Sequence, residues 1–123
     1  MVSTVYIIHP SSEERRSLAV MVAAEGDGVC TFESSEEFLA AIAPDASGCI
    51  VAPSDVPAMG MPALLKALRA RGLTLPVVAL GRDADVAAAV QMVRAGAAEY
   101  LEPPVSGRRL RSAVHQTLHP LRK

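Results

Sequence analysis

The chain contains the stretch AGAAEYLEPP at positions 95–104. Gly96 is the residue type that most often follows the last turn of a helix. Residues 98–101 then predict a short strand, which the proline pair Pro103-Pro104 prevents from continuing. A helix end, a strand and a stop in direct succession predict a fold in which helices and strands alternate.

The same alternation occurs throughout the rest of the chain. The continuous apolar run at residues 5–8 predicts a strand buried on both faces, and short runs rich in apolar residues predict further strands at 29–32, 49–52 and 76–80. Pro53 is predicted to break the third strand, and residues 54–62 to form a loop. Five strand–helix pairs predict an α/β protein whose parallel sheet is covered by helices on both faces.

The predicted helices each have an apolar face. Apolar residues at helical spacing are expected to be buried there, namely Leu18, Met21 and Val22; Phe38, Leu39 and Ile42; Leu64, Leu65 and Leu68; Val86, Val90 and Val93; and Leu110, Val114 and Leu118. Ser11 with Glu14, and Ser34 with Glu37, have the spacing of capping boxes. Met92 is expected in the core, and Gly72 and Gly96 are expected to end the third and fourth helices.

Composition limits the class of protein. The 123 residues suit one domain, and a hydrophobic fraction of 50% is ample for one core. No apolar run is long enough to span a membrane, and the N-terminus lacks the pattern of a signal peptide. We therefore expect a soluble cytoplasmic protein without membrane contact. Cys30 and Cys49 lie in strands predicted to be buried, where reduced thiols are expected.

Three segments resemble receiver domains of bacterial response regulators, and the resemblance covers nearly the whole chain. The most specific is Ala95-Gly96-Ala97 followed by Glu99-Tyr100-Leu101-Glu102. The others are Cys49-Ile50-Val51 followed by Pro57-Ala58-Met59, and Pro76-Val77-Val78. Receivers joined to helix-turn-helix output domains are especially similar. The resemblance implies a doubly wound, flavodoxin-like (βα)5 fold with strand order 2-1-3-4-5.

The residues that perform a receiver's chemistry are all replaced. His9-Pro10 stands where the family has an acidic pair after the first strand, and Pro53 where it has the phosphate-accepting aspartate. Gly81 replaces a hydroxyl residue, and Pro103 replaces a lysine. These degenerate positions offer Mg²⁺ no carboxylate and the phosphoryl group no cation. The nearest acid, Asp55, lies two residues past Pro53 and is predicted to be a solvated loop residue.

The sequence therefore predicts a pseudo-receiver and not an enzyme. We expect residues 1–123 to form one receiver-like domain with no output domain, no catalytic residue, no cofactor and no metal. His115 and His119 share a helical face, but two histidines are too few for zinc. The expected function is phosphorylation-independent binding of a protein in two-component signal transduction.

The resemblance also implies where a partner would bind. Receivers commonly dimerise or dock through the fourth helix, fifth strand and fifth helix. That face would present Gln91, Arg94, Glu99, Tyr100, Arg108 and Arg111. The expected partner is a sensor kinase, a regulator or a second copy of the chain. Tyr100 aligns with the family's switch aromatic, and without a hydroxyl at Gly81 it is expected to take one fixed position or to move only with a partner.

Two other functions remain open. Loss of the acids leaves a less polar crevice at the strand ends, which suits a small-molecule sensor. A closed crevice filled by prolines would count against that alternative. Nucleic-acid binding by the basic last helix is disfavoured, because the net charge is −1 and no second DNA-binding motif is present.

Overall fold

The protein is described by a computed structural model over residues 4–23, 28–54, 60–81, 86–102 and 105–118. Within them lie five strands: β1 (Thr4–Ile8), β2 (Gly28–Phe32), β3 (Gly48–Pro53), β4 (Val77–Leu80) and β5 (Glu99–Leu101). Five helices alternate with the strands: α1 (Ser12–Ala23), α2 (Ser35–Ala41), α3 (Gly60–Ala70), α4 (Val86–Ala95) and α5 (Gly107–Leu118).

The strands form one parallel sheet of order β2-β1-β3-β4-β5. The strand order moves outward from β1 in both directions, so the carboxyl ends of β1 and β3 face a switch point of the topology. The predicted α/β fold and strand order are both confirmed.

Two hydrophobic cores cover the two faces of the sheet. On one face Val5 and Ile7 of β1 contact a core that includes Val22 of α1, with Leu110 and Val114 of α5. On the other face α2, α3 and α4 contribute Phe38, Leu64 and Met92 to a core that also includes Ile8 and Ile50 of the sheet. A fully buried side chain of this size contributes roughly 1.5–3 kcal/mol. The two cores account for the nearly continuous apolar runs of β1, β3 and β4.

Helices α3 and α4 end in the same way. Gly72 and Gly96 both have positive φ, 73° and 115°, which a residue without a Cβ adopts readily. In α4 the Gly96 amide donates to Val93 O and the Ala97 amide to Met92 O, both at 3.0 Å. This is the Schellman arrangement. Both predicted helix ends are confirmed.

Several predicted boundaries and faces are wrong. β3 ends one residue later than predicted, with Pro53 as its last, buried residue, and α3 begins at Gly60 inside the predicted loop. Cys30 is exposed because β2 is an edge strand, whereas Cys49 is buried as predicted.

The predicted buried face of α4 is also wrong. Val90 and Val93 are 44% and 55% exposed, while Met92 on the neighbouring face is buried. The side chain of Val86 lies outside the described residues. No helix within the described part of the chain is long and apolar enough to cross a membrane.

Candidate functional site

Three of the predicted degenerate positions meet at one edge of the sheet. His9 directly follows β1, Pro53 ends β3 and Gly81 directly follows β4. Because parallel strands end at the same edge, these residues and Pro10 line a common crevice of about 440 Å³. The crevice is open. Pro103 and Asp55 lie outside the described residues.

The loop between β1 and α1 is held by a partly buried arginine. The Arg15 guanidinium donates to His9 O at 2.7 Å and to Pro10 O at 3.2 Å, and its side chain is only 16% exposed. The Ser11 amide donates to His9 Nδ1 at 3.1 Å. These contacts fix the imidazole and the proline at the crevice and direct the arginine's charge toward main-chain carbonyls.

Pro53 takes part in the sheet although it has no amide hydrogen. It lies opposite Leu80 in the β3–β4 ladder, and the next residue, Ser54, donates its amide to Leu80 O at 2.8 Å. The strand end is thus regular, and its side chain is a saturated ring. That ring has no atom that can accept a phosphoryl group.

Gly81 provides the space that Tyr100 fills. The Gly81 amide donates to Leu101 O at 2.9 Å, which sets β5 beside it. A Cβ added at Gly81 would lie 2.6 Å from Tyr100 Cζ and would overlap the phenol oxygen. The half-buried Tyr100 ring therefore occupies the volume that a side chain at position 81 would need. Whether Tyr100 keeps this position or moves when a partner binds stays a prediction.

One wall of the crevice was missed from the sequence. Glu14, Ser17, Leu18 and Met21 of α1 line it, and Val105 lies on the opposite side. Their spacing of i, i+3, i+4 and i+7 is one helical face and was readable in the sequence. It was interpreted as core alone because Leu18 and Met21 also contact the core.

Metal binding has no geometric support in the part of the chain that is described. Within it, no group of three or more histidine, cysteine, aspartate or glutamate residues lies close enough together to hold an ion. The strand ends themselves present an imidazole, a pyrrolidine ring and a glycine. None is an oxygen ligand of the kind Mg²⁺ prefers.

The predicted interaction face spans three adjacent elements. Gln91 and Arg94 are exposed on α4, Glu99 and Tyr100 are half-buried on β5, and Arg108 is exposed on α5. Arg111 is not brought to them. A Cβ on Gly107 would meet Arg111 Nη1 at 2.8 Å and Met21 Cγ at 3.5 Å, so Arg111 lies on the α1 side of α5.

A groove between β5 and α5 adds residues that sequence reasoning missed. Glu99 and Arg108 line it together with Arg109, Ser112 and Gln116, around a volume of about 290 Å³. Arg108, Ser112 and Gln116 are spaced at i, i+4 and i+8, and this pattern could have identified the groove.

Helix α4 adds an apolar patch to the same face. Ala89, Val90 and Val93 line a shallow depression beside Arg94. Aliphatic side chains this exposed on one helix face are a feature of binding surfaces when charged residues surround them.

Comparison with known proteins identifies the fold's family. Residues 5–115 match the family described as the response regulator receiver domain. The chain belongs to this family. FixJ of Azorhizobium caulinodans, a transcriptional regulatory protein, is 34% identical over 114 residues, which are 93% of this chain and 54% of that protein. DctR of Rhodobacter capsulatus, a C4-dicarboxylate transport transcriptional regulator, is 36% identical over 82% of this chain and 52% of its own length.

Solved receiver structures superpose closely on this one. The crystal structure of FixJ-N has a TM-score of 0.87 at 30% identity, covering 100% of this chain and 98% of that one. The response regulator StyR has a TM-score of 0.85 at 28% identity, with 96% of this chain and 60% of that chain covered. The chain spans about half the length of the curated relatives it matches.

Proposed function

We propose that this receiver domain is a protein-binding and dimerisation module of two-component signalling that works without phosphorylation. The observation that carries the proposal is the set of side chains at the strand ends. His9, Pro53 and Gly81 lie where the family resemblance places an acid, the acceptor aspartate and the switch hydroxyl. Pro103 replaces the lysine in the same scheme.

The chemistry of aspartyl phosphorylation supports this reading. The reaction needs a carboxylate nucleophile, an oxygen-ligated Mg²⁺ and a cation for the transferred phosphoryl group. Pro53 supplies no nucleophile and His9 no oxygen ligand. A single neighbouring side chain could not restore the missing nucleophile, the missing metal ligand and the missing cation together.

The position of Tyr100 supports an interaction face whose conformation does not depend on phosphorylation. In the family the ring follows the switch hydroxyl, whereas here Gly81 leaves room for the ring beside it without any hydroxyl to follow. We propose that the surface of α4, β5 and α5 therefore has one resting shape. A partner would bind that shape directly.

A second copy of the chain is the occupant we favour. Two-fold interfaces bring the same patch together from both subunits, so they suit an apolar centre with charges of both signs at the rim. Val90 and Val93 provide the apolar centre, and Glu99 with Arg94 and Arg108 provides opposite charges. A sensor kinase or another regulator is the competing occupant.

Several curated relatives are transcriptional regulatory proteins, and a role in transcriptional control is proposed on that basis.

The test uses a charge placed in the patch. Val93→Asp should weaken self-association by about tenfold or more, because a carboxylate would be desolvated at the interface centre. Val20→Asp is the matched control, since Val20 is 68% exposed on α1, away from this face. Sedimentation velocity over a concentration series measures both. Equal weakening by the two variants would exclude the α4 patch as the dimer interface, and a wild type that stays monomeric throughout would exclude the homodimer.

A further inference from the structure

The strand-end crevice has properties of its own that protein binding does not explain. It is open to solvent, and its volume of about 440 Å³ is within the range of small-molecule sites. The prolines at its floor do not close it. Their saturated rings stand where the family has acids, which leaves a surface of both polar and apolar groups next to His9.

The α1 wall is graded from polar to apolar. Glu14 and Ser17, near the helix start, are exposed, whereas Leu18 and Met21 contact the core with part of their surface. Residues 14 and 21 are seven positions apart on one helical face, a rise of about 10 Å. Val105 and Leu80 add further apolar surface to the lining. An elongated molecule with one polar end fits this gradient.

The charged residues at the crevice determine which kind of polar end group a ligand can have. Of the residues lining the crevice within the described chain, Glu14 is the one carboxylate, and none is lysine or arginine. Arg15 is near, and its guanidinium donates to the carbonyls of His9 and Pro10 while lying 4.0 Å from the Glu33 carboxylate, which offsets part of its charge. An end group that meets Glu14 is therefore favoured when it is a cation over a phosphate or carboxylate.

We infer that the crevice is a binding site for a small organic amine whose ammonium group meets Glu14 and whose apolar body lies against Leu18, Met21 and Val105. The inference can fail without failure of the proposed protein binding, because the crevice and the α4 patch share no lining residue. The ligand class is an aryl-alkyl or alkyl amine about 10 Å long.

Binding is expected to reach Tyr100 through one residue. Gly81 lines the crevice on one side and is covered by the Tyr100 phenol on the other. A ligand seated against Gly81 therefore changes the surroundings of the Tyr100 ring. This contact connects the crevice to β5 without any phosphoryl group.

Three matched probes test the ligand class. Phenethylamine, 2-phenylethanol and 3-phenylpropionate share an aromatic body and differ in the charge of the end group. Titration followed by amide NMR should give saturable shifts at Leu18, Leu80 and Gly81 with phenethylamine, and weaker ones with the alcohol. Glu14→Gln should weaken phenethylamine binding about two- to fivefold, as expected for a solvent-exposed ion pair. A propionate that binds as tightly as the amine, or an amine that shifts none of these amides, overturns the inference.

Paired variants test the location. Ser17→Trp places an indole in the crevice from an exposed position and should abolish the shifts, whereas Arg16→Trp, exposed on α1 and outside the crevice lining, should leave them intact. Unfolding curves for both variants establish that they are folded. Shifts that persist in Ser17→Trp would place the amine elsewhere and overturn the assignment.

Discussion

At the residue scale, Gly81 and Tyr100 act as one unit. The ring lies where it does because position 81 has no side chain. The backbone of Gly81 is not in the left-handed region, so the need for glycine here is one of space and not of dihedral angle. This relation was not derivable from the sequence, where the two residues are separated by the whole of α4.

Gly81→Ala should displace the Tyr100 ring and destabilise the domain by about 1–3 kcal/mol, the usual cost of overpacking. In a Tyr100→Ala background most of that cost should disappear, because the overlapping ring is gone. Urea unfolding of the four proteins gives the coupling free energy as a double-mutant cycle.

Gly107→Ala is the control for this cycle. Its new Cβ would meet the flexible end of Arg111, which can move aside. The cost should be small and the same in both Tyr100 backgrounds. If Gly81→Ala were equally costly with and without the Tyr100 ring, the steric account of this pair would be refuted.

At the element scale, the helix caps were largely predictable from local spacing. The Ser34 hydroxyl accepts the Glu37 amide at 3.2 Å, as a capping box requires. The Glu37 carboxylate, however, accepts the Glu33 amide at 3.4 Å, one residue before the cap. In the other pair the Ser11 hydroxyl accepts the Glu14 amide at 3.2 Å, and Glu14 lines the crevice.

Ser34→Ala should lower the free energy of unfolding by about 1 kcal/mol, since α2 is short and depends on its first turn. Ser34→Asp retains an acceptor for the Glu37 amide and should cost much less. Thermal unfolding compares the two, and equal losses would show that the cap does not stabilise α2.

The buried face of α4 could not be predicted from periodicity. Its sequence, VAAAVQMVRA, is apolar at almost every position, so a stripe through Val90 and Val93 and one through Met92 fit equally well. The structure buries Met92 and leaves both valines in solvent. What decided the face was packing against β5 and α3, which is tertiary information.

At the scale of the whole molecule, alternation of apolar runs with helical patterns was enough to predict a parallel sheet. The strand order came from the resemblance to receivers. The exposure of Cys30 was missed because its flanks, Val29 and Phe32, are apolar, whereas β2 has a neighbouring strand on one side only. The candidate site was predictable at the strand ends. Along α1 the helical spacing was readable, but Leu18 and Met21 of the same face also contact the core, so the spacing alone did not identify a crevice wall.

The two cysteines should report this architecture directly. Cys30 on the edge strand should react with a thiol reagent in the native protein, whereas Cys49, fully buried in β3, should react only when the core opens. A colorimetric thiol assay should give one thiol in buffer and two in denaturant. Two reactive thiols in buffer would contradict the placement of Cys49.

The most direct test of the central claim is intact-mass spectrometry of the protein after incubation with acetyl phosphate and Mg²⁺. A receiver with an intact aspartate serves as the positive control. The account predicts no phosphoryl adduct on this chain under conditions that label the control. An adduct that forms on the wild type and is lost in Asp55→Asn would contradict it, because a neighbouring acid would then have taken over the role that Pro53 lacks.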